Sequence, residues 1–184
     1  MNFKVIERPR AEPVNEKDMK TYLRLDSDDD IALVKDLITV ARSYCENYQH
    51  RAYMTQTIEL TANARVIELP RSEELQKVTA VEINGEVIPE AWYQIKPGLV
   101  ATVELDVLTD SIVTVRYITG VELAEDVPEE VKQAIRLLVT HWYENRIAVS
   151  FANTIPREVP FAVKSLLDMG RVISLSLIHI SEPT

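Results

Sequence analysis

The stretch LRLDSDDDIALVKDLITVARSYCENYQHRAYMTQT, residues 23–57, decides how the chain is read. It opens on a run of acids, continues with apolar residues at helical spacing, and ends on alternation that no longer keeps that spacing. Carboxylates just before a helix accept hydrogen bonds from its free first-turn amides and face the positive end of its dipole. Asp26, Ser27, Asp28, Asp29 and Asp30 therefore mark the capped, acidic entry to a helix predicted over 28–48. Lys35, Asp36, Thr39, Arg42, Ser43 and Glu46 form its polar stripe, and Ile31, Leu33, Val34, Leu37, Ile38, Val40, Ala41, Tyr44, Cys45 and Tyr48 cover the rest. Such an apolar face is wider than a surface helix needs, so burial is expected on two sides, by the domain and by a neighbouring subunit.

Residues 115–146, VRYITGVELAEDVPEEVKQAIRLLVTHWYENR, hold the second long helix, predicted over 128–145. Pro128 opens it where a missing N–H costs nothing, and Glu129 and Glu130 occupy the first turn, which favours negative charge. Val131, Ile135, Leu138, Trp142 and Tyr143, with Tyr44 and Tyr48, are the candidates for core or subunit interface, because Trp and Tyr are enriched in both. Shorter helices are predicted over 16–23, where Asn15 and Asp18 make a weak capping box, and over 160–168 after Pro160. Between the long helices, over 55–119, the apolar period falls to two, which predicts strands. The candidates are 57–61, 65–69, 78–83, 86–88, 99–105 and 111–118, with Asn84-Gly85 as a tight hairpin turn that needs positive φ at both positions.

With 184 residues, 46% hydrophobic and 27% charged, the chain is read as one domain over 1–174. A net charge of −9 argues against a general DNA-binding surface, which needs clustered Lys and Arg. An acidic wall can still surround DNA, since it repels the backbone and lets a duplex slide. Cys45 is the only cysteine, so no internal disulfide forms and a bacterial cytoplasm fits. No apolar run approaches the ~20 residues of a spanning helix, and the N-terminus lacks a signal-peptide pattern. Residues 175–184, LSLIHISEPT, resemble the translation of a sequencing adapter and are expected not to be native.

Candidate chemistry is sparse. Asp26, Asp28 and Asp30 match the first alternate ligands of an EF-hand loop, but Ile31 stands where that loop needs Gly and Leu37 where it needs Glu. His50, His141 and His179 form no ligand pattern, and Cys45 lies on an apolar helix face without a nearby His, as an inert thiol would. The four glycines make neither a dinucleotide fingerprint nor a P-loop, which excludes an ATP-driven motor. No catalytic residue, cofactor or metal is expected.

Five segments carry a resemblance: VIERPRAEPV, LRLDSDDD, RAYMTQT, TVRYITG and VPEEVKQAIRLLVTHWYENR. Together they resemble the head-tail connector family of tailed bacteriophages, also labelled phage DNA packaging or head-completion proteins. The resemblance implies an α+β fold: a predominantly helical connector core with an inserted antiparallel β module. It further implies a non-enzymatic homo-oligomeric ring at the head-tail junction of the virion, made in the host cytoplasm. Its partners would be the portal protein and a tail-proximal connector or tail-completion protein; DNA would pass without sequence-specific binding, and no membrane is involved. Two other readings stay open here, a small metal-dependent hydrolase using Asp26, Asp28 and Asp30, and a monomeric binding module of the packaging operon.

Overall fold

The computed structural model describes residues 1–106, 111–145 and 160–172. Strand β1 (Asn2–Glu7) comes first, followed by helices α1 (Glu16–Leu23) and α2 (Ile31–Gln49). Seven strands follow: β2 (Gln56–Ala62), β3 (Val66–Glu68), β4 (Leu75–Ile83), β5 (Glu86–Val87), β6 (Tyr93–Lys96), β7 (Thr102–Leu105) and β8 (Val113–Thr119). Helices α3 (Glu129–Glu144) and α4 (Phe161–Asp168) complete the described chain. The adapter-like residues 175–184 and His179 lie outside the described residues.

The strands make two antiparallel sheets, one of five strands in the order β1-β2-β8-β4-β5 and one of three in the order β3-β7-β6. Their facing sides share a dry core that includes Ile58, Leu60, Val81, Val103, Leu105, Val115 and Tyr117. The outer face of the larger sheet is crossed by ion pairs, Lys4 to Glu59 at 2.8 Å, Glu59 to Arg116 at 2.7 Å and Arg116 to Glu82 at 2.9 Å. Period-two alternation is thus resolved into a dry and a charged side. At the Asn84-Gly85 turn both residues have positive φ, 53° and 88°, as the tight turn between β4 and β5 requires.

The helices form a second, separate core around Met19, Val34, Ile38, Cys45, Val131, Ile135, Leu138 and Leu167. Helices pack on helices and strands on strands. The expectation of a predominantly helical core with an inserted β module is therefore corrected. Among the described residues four helices stand beside eight strands in two sheets, an α+β fold whose β part has a core of its own. Nor are the strands confined between the helices, since β1 precedes α1 and pairs with β2.

One backbone crossing ties the halves together. After β8, Gly120 turns at φ +97°, and Val121 bridges to Met54 in parallel. A Cβ on Gly120 would sit 2.3 Å from the Met54 carbonyl oxygen, so only glycine lets the two strands of backbone pass.

Candidate assembly surfaces and the buried junction

The acidic run leads into α2, but not by the expected route. Asp30 occupies the N-cap position without a side-chain cap bond. Its carboxylate instead accepts a hydrogen bond from the Tyr143 hydroxyl at 2.5 Å, tying the start of α2 to the end of α3. Lys20 donates to Asp28 at 2.6 Å and holds the Asp28 carboxyl below the usual range, while Ser27 donates to Asp29 at 2.9 Å. Among the described residues no group of three or more His, Cys, Asp or Glu is placed to hold a metal ion. By contrast, Asn15 does cap α1, accepting from the Asp18 amide at 2.8 Å.

Of the candidates for core or interface, Val131, Ile135 and Leu138 are completely enclosed in the helical core. The aromatic residues sit at its margin, half-buried. Tyr44 stacks near Tyr48 and meets Trp142 edge-on, both at 6.3 Å between ring centres, and Tyr48 donates to Asp168 at 2.8 Å. Cys45 is enclosed, and burial, with help from the Glu46 carboxylate, pushes its thiol up to about 12. A thiol held protonated is a poor nucleophile. His50 ends α2 in a left-handed conformation, and the His141 carbonyl accepts from the Asn145 amide.

The polar stripe read on α2 does not coincide with its solvent face. Arg42 and Glu46 are buried, Glu46 to 2%, while Leu33 and Val40 stand 36% and 54% exposed. Glu46 is the centre of a junction between the two cores. One oxygen accepts from the Tyr53 amide at 3.2 Å and Gln56 Nε2 at 3.1 Å; the other accepts from Arg42 at 2.8 Å and lies 3.6 Å from Arg71. Arg71, from the loop between β3 and β4, also donates to Asn47 on α2 at 2.6 Å. Burial raises the Glu46 carboxyl above the usual carboxylate range, against the pull of Arg42 and Arg71. Gln49 extends the junction to α4, donating to the Leu167 carbonyl at 2.6 Å and accepting from the Tyr53 hydroxyl at 2.7 Å. The spacing of Arg42 and Glu46, four residues apart on a helix, was the available signal for this pair. Nothing local pointed to Arg71 as the third member.

The geometry has two hydrophobic cores joined by a buried polar junction, no metal constellation among the described residues, and an exposed apolar stripe on α2. Over residues 14–172 the sequence matches the model of a family described as head completion protein. The chain belongs to the head completion protein family. As a member it is a structural protein of the phage head-tail connection. No curated protein matches the sequence significantly. The fold is similar to chains in solved particles of a gene transfer agent (GTA). One lies in the neck of the empty GTA particle computed with C6 symmetry, at TM-score 0.77 and 19% identity, covering 95% of this chain and 97% of that one. Another comes from the virion of the native particle, at TM-score 0.75 and 18% identity with the same coverage. A third lies in the neck of the native particle computed with C12 symmetry, at TM-score 0.70, 18% identity and again the same coverage. No helix among the described residues is long and apolar enough to cross a membrane.

Proposed function

We propose that this head completion protein assembles as a closed ring in the virion neck, with the portal protein on one side and a tail-proximal connector or tail-completion protein on the other. DNA passes through the ring without sequence-specific contact, past a subunit whose net charge of −9 repels phosphate. Residues 1–174 act as one connector domain, because the buried Glu46 junction holds the helical and β halves together. The role is structural and not catalytic. The similar chains belong to necks computed with C6 and C12 symmetry, so a copy number of six or twelve is the natural expectation.

The observation that carries the ring is the outward stripe of α2, where Leu33 and Val40, seven residues apart, lie on one face with half-buried Leu37 and Tyr44 beside them. An apolar stripe on a helix already packed on α1, α3 and α4 is accounted for by a neighbouring subunit. In a ring each such stripe meets a different surface of the next copy, so blocking it stops closure. Mass photometry and negative-stain images of the purified chain should show rings. The Leu33→Glu/Val40→Glu variant should keep its circular dichroism spectrum and run as a monomer. A wild type that stays monomeric at every concentration, or a variant that still closes rings, would overturn the proposal.

A further inference from the structure

The arm between β1 and α1 is pinned at both ends and carries two arginines between the pins. At one end Glu7 accepts from the Thr57 hydroxyl on β2 at 2.6 Å. At the other, Glu12 accepts from Thr39 at 2.9 Å and from Arg42 Nε at 2.7 Å, both on α2. Between them runs Arg8-Pro9-Arg10. Proline has no N–H to give a ladder, and the registered pairing of β1 with β2 ends at Glu7 and Thr57. The arm leaves the sheet there and opens a groove of about 670 Å³, with Arg8 and Arg10 on one wall and Met54 and Ile118 among its lining. Both arginines are exposed, and neither has an ion-pair or hydrogen-bond partner among the described residues.

We propose that this groove binds an extended acidic peptide segment of a partner protein, with its carboxylates on Arg8 and Arg10. Guanidinium groups present paired donors that match carboxylate geometry. The two arginines are two residues apart, and both line the groove. Because the arm is already held at Glu7 and Glu12, little ordering is lost on binding. Glu7 and Glu122 line the same groove, so a phosphate track would meet two carboxylates. A polypeptide avoids that conflict, since it can set a carboxylate beside the arginines, an apolar side chain over Met54 and Ile118, and a neutral backbone beside Glu122. All of these groups belong to one subunit, so the site does not depend on ring closure.

The test is fluorescence anisotropy on the full chain with three probes: a short peptide alternating valine and glutamate, its valine–lysine counterpart, and duplex DNA. The acidic peptide should bind saturably and more weakly as salt rises, and the other two probes should bind far less. The Arg8→Gln/Arg10→Gln variant should weaken the acidic peptide by about three- to thirtyfold, as two solvent-exposed ion pairs allow. An unchanged melting curve would show that the variant still folds. The proposal is overturned if the acidic peptide does not bind, if the lysine peptide or DNA binds equally well, or if the folded variant binds like wild type.

Discussion

At the scale of single residues, Gly120 has the least room. Its φ of +97° is one that other residues rarely adopt, and a methyl group there would overlap the Met54 carbonyl. Gly120→Ala should therefore cost roughly 2–4 kcal/mol, seen as a melting temperature lower by about 5–15 °C. A loss of a degree or less would mean that the crossing relaxes freely. Glu59 gives a pH signature. Its hydrogen bonds from Lys4 and Arg116 hold the carboxyl below its ordinary value. Between that depressed value and the unfolded value near 4.5, the unfolded chain binds more protons than the folded one, so stability rises with pH. The contribution is complete above the unfolded value and is lost as pH falls through the folded one. Glu59→Gln should flatten the acid limb of a plot of melting temperature against pH, and an unchanged limb would place the acid sensitivity elsewhere.

At the scale of elements, the acidic run belongs to a helix-to-helix tie. Because Asp30 meets Tyr143 and not its own first-turn amides, Tyr143→Phe and Asp30→Ala should destabilise by similar amounts, about 1.5–3 kcal/mol for a bond to a charged group. The double variant should add little to either single one. Chelators should leave the melting temperature unchanged, and a saturable rise with Mg²⁺ or Ca²⁺ would restore the cation reading. The helices were legible because Asn15, Pro128 and Pro160 punctuate them and their apolar spacing is strong. The Asn84-Gly85 hairpin was legible for a similarly local reason. The balance of the fold was not. The sequence pattern assigns no element to β1; every residue in it except Val5 is exposed, and it becomes a strand only by pairing with β2. β6 is four residues long, also at an edge, and takes its place through β7. Edge strands carry little periodic signal of their own. The candidate surface was half legible: the excess apolar width of α2 was visible, but which residues stay outside depended on Arg42 and Glu46 turning inward.

At the scale of the whole molecule, the two dry cores meet through a polar layer, and this sets how the protein should unfold. A buried carboxylate that leans on three elements is costly to desolvate and specifies one arrangement of its donors. Glu46 takes the Tyr53 amide from the loop before β2 and Gln56 from the start of β2, Arg42 from its own helix and Arg71 from the loop between β3 and β4. Removing Arg71 deletes the charged member that the β half contributes, together with its bond to Asn47, but leaves Gln56 in place and Arg42 to balance the charge. Arg71→Ala should thus cost less than the roughly 3–5 kcal/mol expected when a buried charge loses its only partner. Its larger effect should be on cooperativity. The two tryptophans allow this to be read directly, since Trp142 lies in the helical half and Trp92 in the β half. In single-tryptophan backgrounds, Trp92→Phe or Trp142→Phe, urea transitions of the otherwise native chain should coincide, as two-state unfolding requires. Adding Arg71→Ala should separate the two midpoints, because each half keeps its own core but loses the charge that couples them. Transitions that remain superimposed after Arg71 is removed would show that the Met54–Val121 crossing and the Gln56–Glu46 bond suffice for coupling, and that Arg71 contributes stability alone.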